Sequence, residues 1–338
     1  MARRLIPLPG PRGPLSERLF EALEGPPDEG LEAPGPIEPV DPIADEDLQL
    51  ALYVAYEIHY TAIAGVDEAW EWAPSLLAFR AELERPFEAA VAELIEPTSE
   101  REQASVGAAL QEIMAADPGP PLSRYMETQG SPAQMLEHVV HRSAYQLKEA
   151  DPHSWAIPRL PPRAKAALLE VQADEYGGGS AERMHAVLFA KTMEALGLDP
   201  SYGAYLERLP AVTLATVNLM SGFGLHRRRR GAIVGHLAAF EMTSSIPNRR
   251  YGNALRRLGF DREATHFYDE HVEADAVHEN IAAWDLAGGL AADEPEVAAD
   301  ILFGARALLQ VEARWATHLM DSWNRGRSSL REPAAVPA

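Results

Sequence analysis

The chain has 338 residues, a formal net charge of −21 and a pI near 4.9, and it contains no cysteine. Acidic chains repel nucleic acid and anionic membranes at long range, so we expect a small-molecule substrate and neither of those partners. Without cysteine the chain forms no disulfide, thiolate metal site, iron–sulfur cluster or cysteine nucleophile. Any bound metal must therefore be held by His, Asp and Glu.

The first 45 residues carry ten of the 27 prolines. Four of them interrupt the stretch from Leu5 to Leu15, which therefore lacks the apolar core of a signal peptide. No apolar run approaches the ~20 residues that span a bilayer, so we predict a cytoplasmic protein. Residues 1–45 are predicted to form an extended arm with no regular packing of its own and no ligands, which either extends freely or lies over the domain. Deleting residues 1–40 is then expected to leave metal binding nearly unchanged.

Amphipathic segments follow the arm and predict one helical domain over residues 46–325, with a flexible tail at 326–338. Period-2 alternation typical of strands is scarce. Because each helix carries one apolar stripe that must be buried on its neighbours, we predict an all-α bundle. The predicted helices cover residues 45–64, 74–94, 99–116, 131–149, 162–174, 181–196, 198–220, 226–243, 249–258, 264–290 and 295–323, with a turn at 244–248.

One predicted helix carries three possible metal ligands on a single face. His271, Asp275 and His278 stand at i, i+4 and i+7, a spacing that places their side chains in one stripe. Two imidazoles and a carboxylate suit iron, manganese or zinc. The alternative is a solvated acidic face, because three further acids are close in sequence: Glu270, Glu273 and Glu279.

A second pair of possible ligands follows three glycines. Glu182 and His185 form an E-x-x-H pair, and we predict that both lie on one face of the helix over 181–196. Three consecutive glycines disfavour a continuous helix, so Glu175 is predicted to lie on a separate segment from Glu182. We expect Glu182 to bind metal as part of a rigid turn. Glu175 would reach the metal only when Gly177–Gly179 become ordered.

Glu241 is the single acid in the apolar stretch 235–245. A buried carboxylate there is costly unless it is neutralised or bound to metal. The alternative partner is the arginine run Arg227–Arg230, which is more typical of a solvated or salt-bridged stripe. For Glu175 the alternative is an ordinary surface acid. His138 and His141 have a spacing suited to metal, but no acid completes them, so we predict that both lie at the surface.

The ordered ligand set resembles that of the haem-oxygenase-like diiron oxidases and oxygenases, over residues 45–320. The residues that carry the resemblance are Glu175, Glu182-x-x-His185, Glu241 and His271-x-x-x-Asp275-x-x-His278. It implies a haem-oxygenase-like helical bundle that binds two iron ions, with Glu175, Glu182 or both among the ligands. The proline-rich N-terminal arm has no counterpart in the core of that family.

The resemblance also implies O2 as co-substrate and the oxidation of a small amine-, amino-acid- or fatty-acid-like metabolite in natural-product biosynthesis. The reaction would be N-oxygenation, desaturation or oxidative C–C cleavage. A homodimer and an external electron donor are both compatible with it. The alternatives are a ferritin-like protein that handles iron or oxygen, and a haem-binding or cofactorless member of the same scaffold. Seven candidate ligands from separate helical regions argue against both.

Overall fold

A computed structural model describes residues 5–117 and 119–332, except for the side chains at 273–277. Within these residues no β-strand forms, and an isolated β-bridge pairs Ile6 with Ile63. The predicted all-α class is therefore confirmed. No helix in the described part of the chain is both long enough and apolar enough to cross a membrane.

The α-helices are numbered in chain order, and short 3-10 turns connect many of them. They are α1 (Pro14–Leu23), α2 (Glu46–Glu57), α3 (Pro74–Glu93), α4 (Glu100–Ala104), α5 (Val106–Ala115), α6 (Leu122–Thr128), α7 (Pro132–Gln146), α8 (Asp151–Ser154), α9 (Pro162–Glu175), α10 (His185–Ala195), α11 (Ala211–Leu225), α12 (Arg230–Arg257), α13 (Arg262–Asn280), α14 (Gly288–Asp293) and α15 (Ala298–Asn324). A π-helical segment, Ile281–Ala287, joins α13 to α14.

Helix α12 is the centre of the bundle and packs most extensively on α15 and α13. Two glycines allow its backbone to meet that of α15. A Cβ added at Gly235 would lie 1.8 Å from the carbonyl oxygen of Ile301, and one at Gly304 would lie 2.0 Å from that of Ala232. No side chain fits at either position. This contact fixes the position of α12 along α15. It thereby also fixes the position of Glu241, which follows Gly235 on α12.

Helix α12 continues through Pro247, so the predicted turn at 244–248 is wrong. Proline inside a helix removes a backbone hydrogen bond and crowds the preceding turn, which is why the sequence indicated a break. Buried residues on both sides outweigh that local cost, including Leu237 before the proline and Leu255 after it. Tertiary packing has overridden a local preference here.

The N-terminal arm is packed on the domain and contains helix α1. Its apolar side chains reach the main core and are almost fully buried: Ile6, Leu19, Leu23 and Ile43. Pro14 occupies the first turn of α1, where a missing backbone N–H costs nothing. The arm therefore lies over the domain, which is one of the two alternatives, but it packs regularly, contrary to the expectation from its proline content.

The start of the predicted tail is also packed. Ser329 is buried and donates a hydrogen bond to the carboxylate of Glu137 on α7, and Leu330 belongs to the main core. Residues 333–338 lie outside the described part of the chain.

Candidate metal site

Among the described residues, two groups of buried side chains bring possible ligand atoms to within 4.8 Å of one another. The first comprises Glu149, Glu175, His185 and His271, and the second comprises Glu175, Glu241 and His278. All of these residues are buried, with exposed fractions of 8% or less. Glu175 belongs to both groups, so one carboxylate joins two adjacent positions for a cation.

Turns outside the helices bring the ligands of the first group together. Glu149 follows the end of α7, and the next residue, Ala150, has a φ of 74°, which turns the chain sharply. Glu175 is the last residue of α9, and His185 is the first residue of α10. Between them, a Cβ added at Gly177 would lie 2.6 Å from the backbone nitrogen of Met184. This close approach places His185 Nδ1 2.9 Å from Glu175 Oε2.

His271 is oriented by its own helix. Its Nδ1 lies 2.8 Å from the carbonyl oxygen of Phe267, and a carbonyl only accepts, so Nδ1 carries the hydrogen. The lone pair is therefore on Nε2, which lies 3.6 Å from Glu149 Oε1. The rings of His271 and His185 are 4.3 Å apart between centroids. Such a fixed tautomer is typical of metal-binding histidines.

His278 lies between two carboxylates. Its Nδ1 is 3.3 Å from Glu241 Oε2, and its Nε2 is 2.9 Å from Asp174 Oδ2. Burial lowers the pKa of His278, but hydrogen bonds and charge from Glu241 and Asp174 outweigh that effect and raise the pKa to about 9. With a cation beside Glu241, Nδ1 would be the ligand and Nε2–H would donate to Asp174.

The donor set fits iron. Burial raises the pKa of Glu241 and of Glu149, while His278 and His271 respectively oppose the shift. Glu149 Oε2 has no hydrogen-bond partner among the described residues. Buried carboxylates this close together are costly unless a cation is shared between them. Carboxylates and imidazoles without thiolate suit iron, as they also suit manganese and zinc.

Five of the seven predicted ligands lie in the two groups: Glu175, His185, Glu241, His271 and His278. Asp275 belongs to α13, but its side chain lies outside the described residues. Glu182 is exposed and belongs to neither group.

The segment Gly177–Gly179, called the glycine joint below, explains the position of Glu182. Gly177, Gly178 and Gly179 all have positive φ, residues 181–183 form a 3-10 turn, and α10 begins only at His185. Glu182 and His185 therefore do not share a helix face, contrary to our prediction. The prediction of separate segments is confirmed. Glu175 lies inside the candidate site and Glu182 lies at the surface, so the expected metal-binding roles of the two acids stay a prediction.

Glu149 was missed by the sequence analysis. The sequence does contain a signal for it. Four residues follow one another at intervals of three, seven and four positions, which are compatible with one helix face: Met135, His138, Tyr145 and Glu149. All four are buried. Glu149 is the last residue of the predicted helix over 131–149, and no neighbouring residue in sequence marks it as a ligand.

Two other predictions meet different outcomes. His138 and His141 are both buried, so the surface prediction is wrong; His141 contacts the hydroxyl groups of Thr213 and Ser329, at 2.6 and 3.0 Å.

The arginine run is salt-bridged as expected. Its partners are Glu88, Asp300, Glu294 and Glu296, and none of them is Glu241.

A small cavity borders the metal ligands and is lined by Glu149, Glu175, Glu241 and His271 together with Tyr145, His153, Phe240 and Ser244, among others. A larger cleft adjoins it. Phe240 and Ser244 line both spaces, so the cleft leads toward the candidate metal site.

The fold and these buried carboxylate–imidazole groups define the class: an all-α protein with residues placed to hold metal ions. The family of iron-containing redox enzymes matches residues 136–313, more than half of the chain. The chain belongs to this family, and its fold is haem-oxygenase-like.

A nitrosourea synthase from Streptomyces achromogenes subsp. streptozoticus is similar to part of the chain, with 27% identity over 136 residues. The similarity covers 40% of this chain and 29% of that relative. The matched region is thus less than a third of the relative's length.

We expect Asp174→Ala to weaken metal binding about 10- to 100-fold at the position that includes His278, a range typical of lost partners of metal-binding histidines. Without Asp174 the His278 ring loses the acceptor that fixes its Nε2–H. Anaerobic Fe(II) titration measures the effect. Glu170→Ala, at an exposed position of the same helix, is the matched control. Equal affinities in the two variants would show that Asp174 does not orient His278.

Proposed function

We propose that the protein is a non-haem diiron oxygenase that uses O2 to oxidise a small metabolite. The supporting observation is the pair of buried ligand groups that share Glu175. Two adjacent Fe(II) ions held there would supply two of the four electrons that reduction of O2 to water requires, and the substrate or the external electron donor would supply the other two. Family membership supports iron and redox chemistry, and the two ions and the use of O2 are our inference.

In this proposal the first group would hold one iron through His185, His271 and Glu149, and the second would hold the other through His278 and Glu241. Glu175 would serve both. By the family resemblance Asp275 would add a further ligand from α13. The carboxylates supply negative charge that stabilises the ferric state.

Apolar side chains around the ligands exclude bulk water. Phe189 and Phe267 pack at 5.0 Å between centroids, and the Phe267 ring lies 4.3 Å from that of His271. Tyr145 and Phe240, which line the cavity, pack at 5.3 Å. A dry environment strengthens the interaction of the ligands with the cations and protects reactive species from solvent.

The reaction that we favour is N-oxygenation, because the similar protein from Streptomyces is a nitrosourea synthase and a nitrosourea contains an oxidised nitrogen. Desaturation and oxidative C–C cleavage of amino or fatty acids are the competing reactions. A ferritin-like role is less well supported, because a cleft large enough for an organic molecule adjoins the metal cavity. A homodimer and an external electron donor remain part of the proposal.

Anaerobic Fe(II) titration followed by O2 addition tests the proposal. We expect saturation at two iron ions per chain and O2 consumption that depends on the bound iron and accelerates with substrate. Binding of iron without substrate-dependent consumption would indicate storage. A haem absorption band on reconstitution with haem, and no Fe(II) binding, would replace the diiron assignment.

A further inference from the structure

A buried ion pair adjoins the candidate ligand Glu149 in the chain. Lys148 Nζ donates a hydrogen bond to Glu57 Oε1, and the two side chains have exposed fractions of 2% and 1%. Glu57 is the last residue of α2, and Lys148 immediately precedes Glu149. Neither residue belongs to a ligand group, so metal binding by itself does not account for the pair.

Both carboxylate oxygens of Glu57 accept hydrogen bonds. Its Oε2 accepts from the hydroxyl of Tyr202 at 2.8 Å. The hydroxyls of Tyr53 and Tyr202 lie 3.0 Å apart, and because Tyr202 directs its hydrogen to Glu57, Tyr53 is the donor to Tyr202. The Tyr60 ring lies 4.3 Å from Lys148 Nζ, where its face attracts the ammonium group. The pair is thus fully hydrogen-bonded inside an aromatic shell.

A buried ion pair fixes geometry more than it adds stability. Compared with apolar residues of similar volume it contributes little net stability, but separating its partners leaves an unpaired buried charge, which is strongly disfavoured. Lys148 Nζ therefore stays in contact with Glu57. The backbone at Lys148 is held against α2 as a result.

The turn after α7 needs such anchors, because the hydrogen bonds of the helix end before it. Ala150 has a φ of 74°, a conformation that a residue with a Cβ keeps only when its surroundings enforce it. The carbonyl of Lys148 accepts from the backbone N–H of Asp151 at 3.1 Å, and the carbonyl of Ala150 accepts from Gln172 Nε2 at 2.9 Å. The side chains of Lys148 and Gln172 thus tie this turn to α2 and α9.

The side chains of two successive residues leave this turn toward different helices. Lys148 reaches Glu57 on α2, whereas Glu149 Oε1 lies 3.6 Å from His271 Nε2 on α13. One planar peptide joins the two residues, so a displacement of Lys148 would displace Glu149 as well. A ligand that is already in place needs no reordering when the metal binds.

We infer that the Glu57–Lys148 pair positions Glu149: it holds the turn after α7, so that the Glu149 carboxylate stays beside His271 before a metal binds. Glu57 and Lys148 are positioning residues, because they act on the site only through Glu149. The inference rests on the proposed function, since it concerns the first of the two metal positions. It connects α2, which supplies no member of the two ligand groups, to that position.

The double variant Glu57→Gln/Lys148→Met tests the inference. It removes both charges, so neither is left buried without a partner, and the amide oxygen at position 57 can still accept from Tyr202. We expect the melting temperature, followed by circular dichroism, to stay close to that of the parent. Changes in the site can then be separated from unfolding.

Hydrogen exchange followed by mass spectrometry, on the full chain without metal, reports on the turn itself. In the double variant we expect residues 147–151 to exchange at least about 10-fold faster than in the parent, because local opening sets the exchange rate. Residues 135–145 of α7 should keep the exchange rates of the parent. No metal ion is needed for this measurement.

Anaerobic Fe(II) titration measures the consequence for the site. We expect the iron affinity of the first position to fall about 10-fold, the factor that follows if Glu149 is in place for a tenth of the time. The second position should keep its affinity. When the double variant is combined with Glu149→Gln, the two losses should not add, because the pair acts only through Glu149. A merely structural role would give additive losses.

The variant Arg142→Met/Glu312→Gln is the matched control. This pair also ties α7 to another helix, through hydrogen bonds of 2.8 and 2.7 Å, and its removal changes the same charges. The exchange of residues 147–151 and both iron affinities should match those of the parent. Tyr202→Phe removes only the hydrogen bond to Glu57 and should accelerate exchange in the turn by a smaller factor. It decides the question if the double variant does not fold.

Unchanged exchange at residues 147–151 in a folded double variant would overturn the inference, and so would faster exchange with unchanged iron affinity. Losses of affinity that add to those of Glu149→Gln, or an equal effect in the control, would also overturn it. A parent chain that binds no Fe(II) would refute the diiron proposal alone. The exchange rates would still decide whether the pair holds the turn.

Discussion

Glu149→Gln is expected to lower iron binding from two ions per chain to about one, whereas Glu182→Gln should leave both ions bound. Glu149 is buried, and its Oε1 lies 3.6 Å from His271 Nε2. A neutral amide there replaces one carboxylate oxygen by an NH2 group, which cannot bind a cation, and removes a negative charge. Glu182 is exposed and outside both ligand groups. Loss of a direct ligand should lower the iron affinity of that position by at least about 100-fold. This is the upper end of the effect of losing a residue that only hydrogen-bonds a ligand.

The pair of variants is a matched test, because both change one glutamate to the isosteric amide near the same site. Anaerobic Fe(II) titration with analysis of retained iron gives the stoichiometry, and circular dichroism checks the fold. If Glu182→Gln lost iron and Glu149→Gln kept it, the motif in the sequence would be the correct guide. Glu182 would then have to move inward when iron binds.

Deletion of residues 1–40 is expected to destabilise the protein severely and, through unfolding, to abolish iron binding. The deleted segment includes Ile6, Leu19, Phe20 and Leu23, all of which are buried in the main core. At ~1.5–3 kcal/mol for each large apolar side chain, their burial is worth roughly 6–12 kcal/mol. That is comparable to the ~5–15 kcal/mol by which whole domains are stable. The structure therefore reverses the expectation from proline content.

Thermal unfolding followed by circular dichroism, in parallel with Fe(II) titration, checks this outcome. Leu19→Ala is a milder variant and should cost about 2–5 kcal/mol, as is typical for a buried leucine. Glu21→Ala, at an exposed position of the same helix, is the control and should unfold like the parent. A truncated chain with unchanged melting temperature and iron content would show that the arm packs on a core that is complete without it.

The sequence by itself determined the fold class and named five of the residues that the structure brings together in the candidate site. Apolar stripes with helical period predict the bundle, because a helix with one apolar face must bury it. His271 and His278 could be predicted because two turns of one helix bring them to one face. Glu241 could be predicted because a lone acid in an apolar stretch needs a partner. These inferences depend on residues close together in the chain.

Only the tertiary structure decided which further acids lie beside His271, His278 and Glu241. Glu149 lies 36 positions before His185 in the sequence, and it reaches the site through the turn at Ala150 and the packing of α7. Glu182 is three positions from His185, yet the glycine joint leaves it at the surface. The burial of His138, the continuity of α12 through Pro247 and the packing of the arm have the same origin. Each depends on contacts between segments far apart in sequence, and their burial energy exceeds the local preferences that a sequence displays.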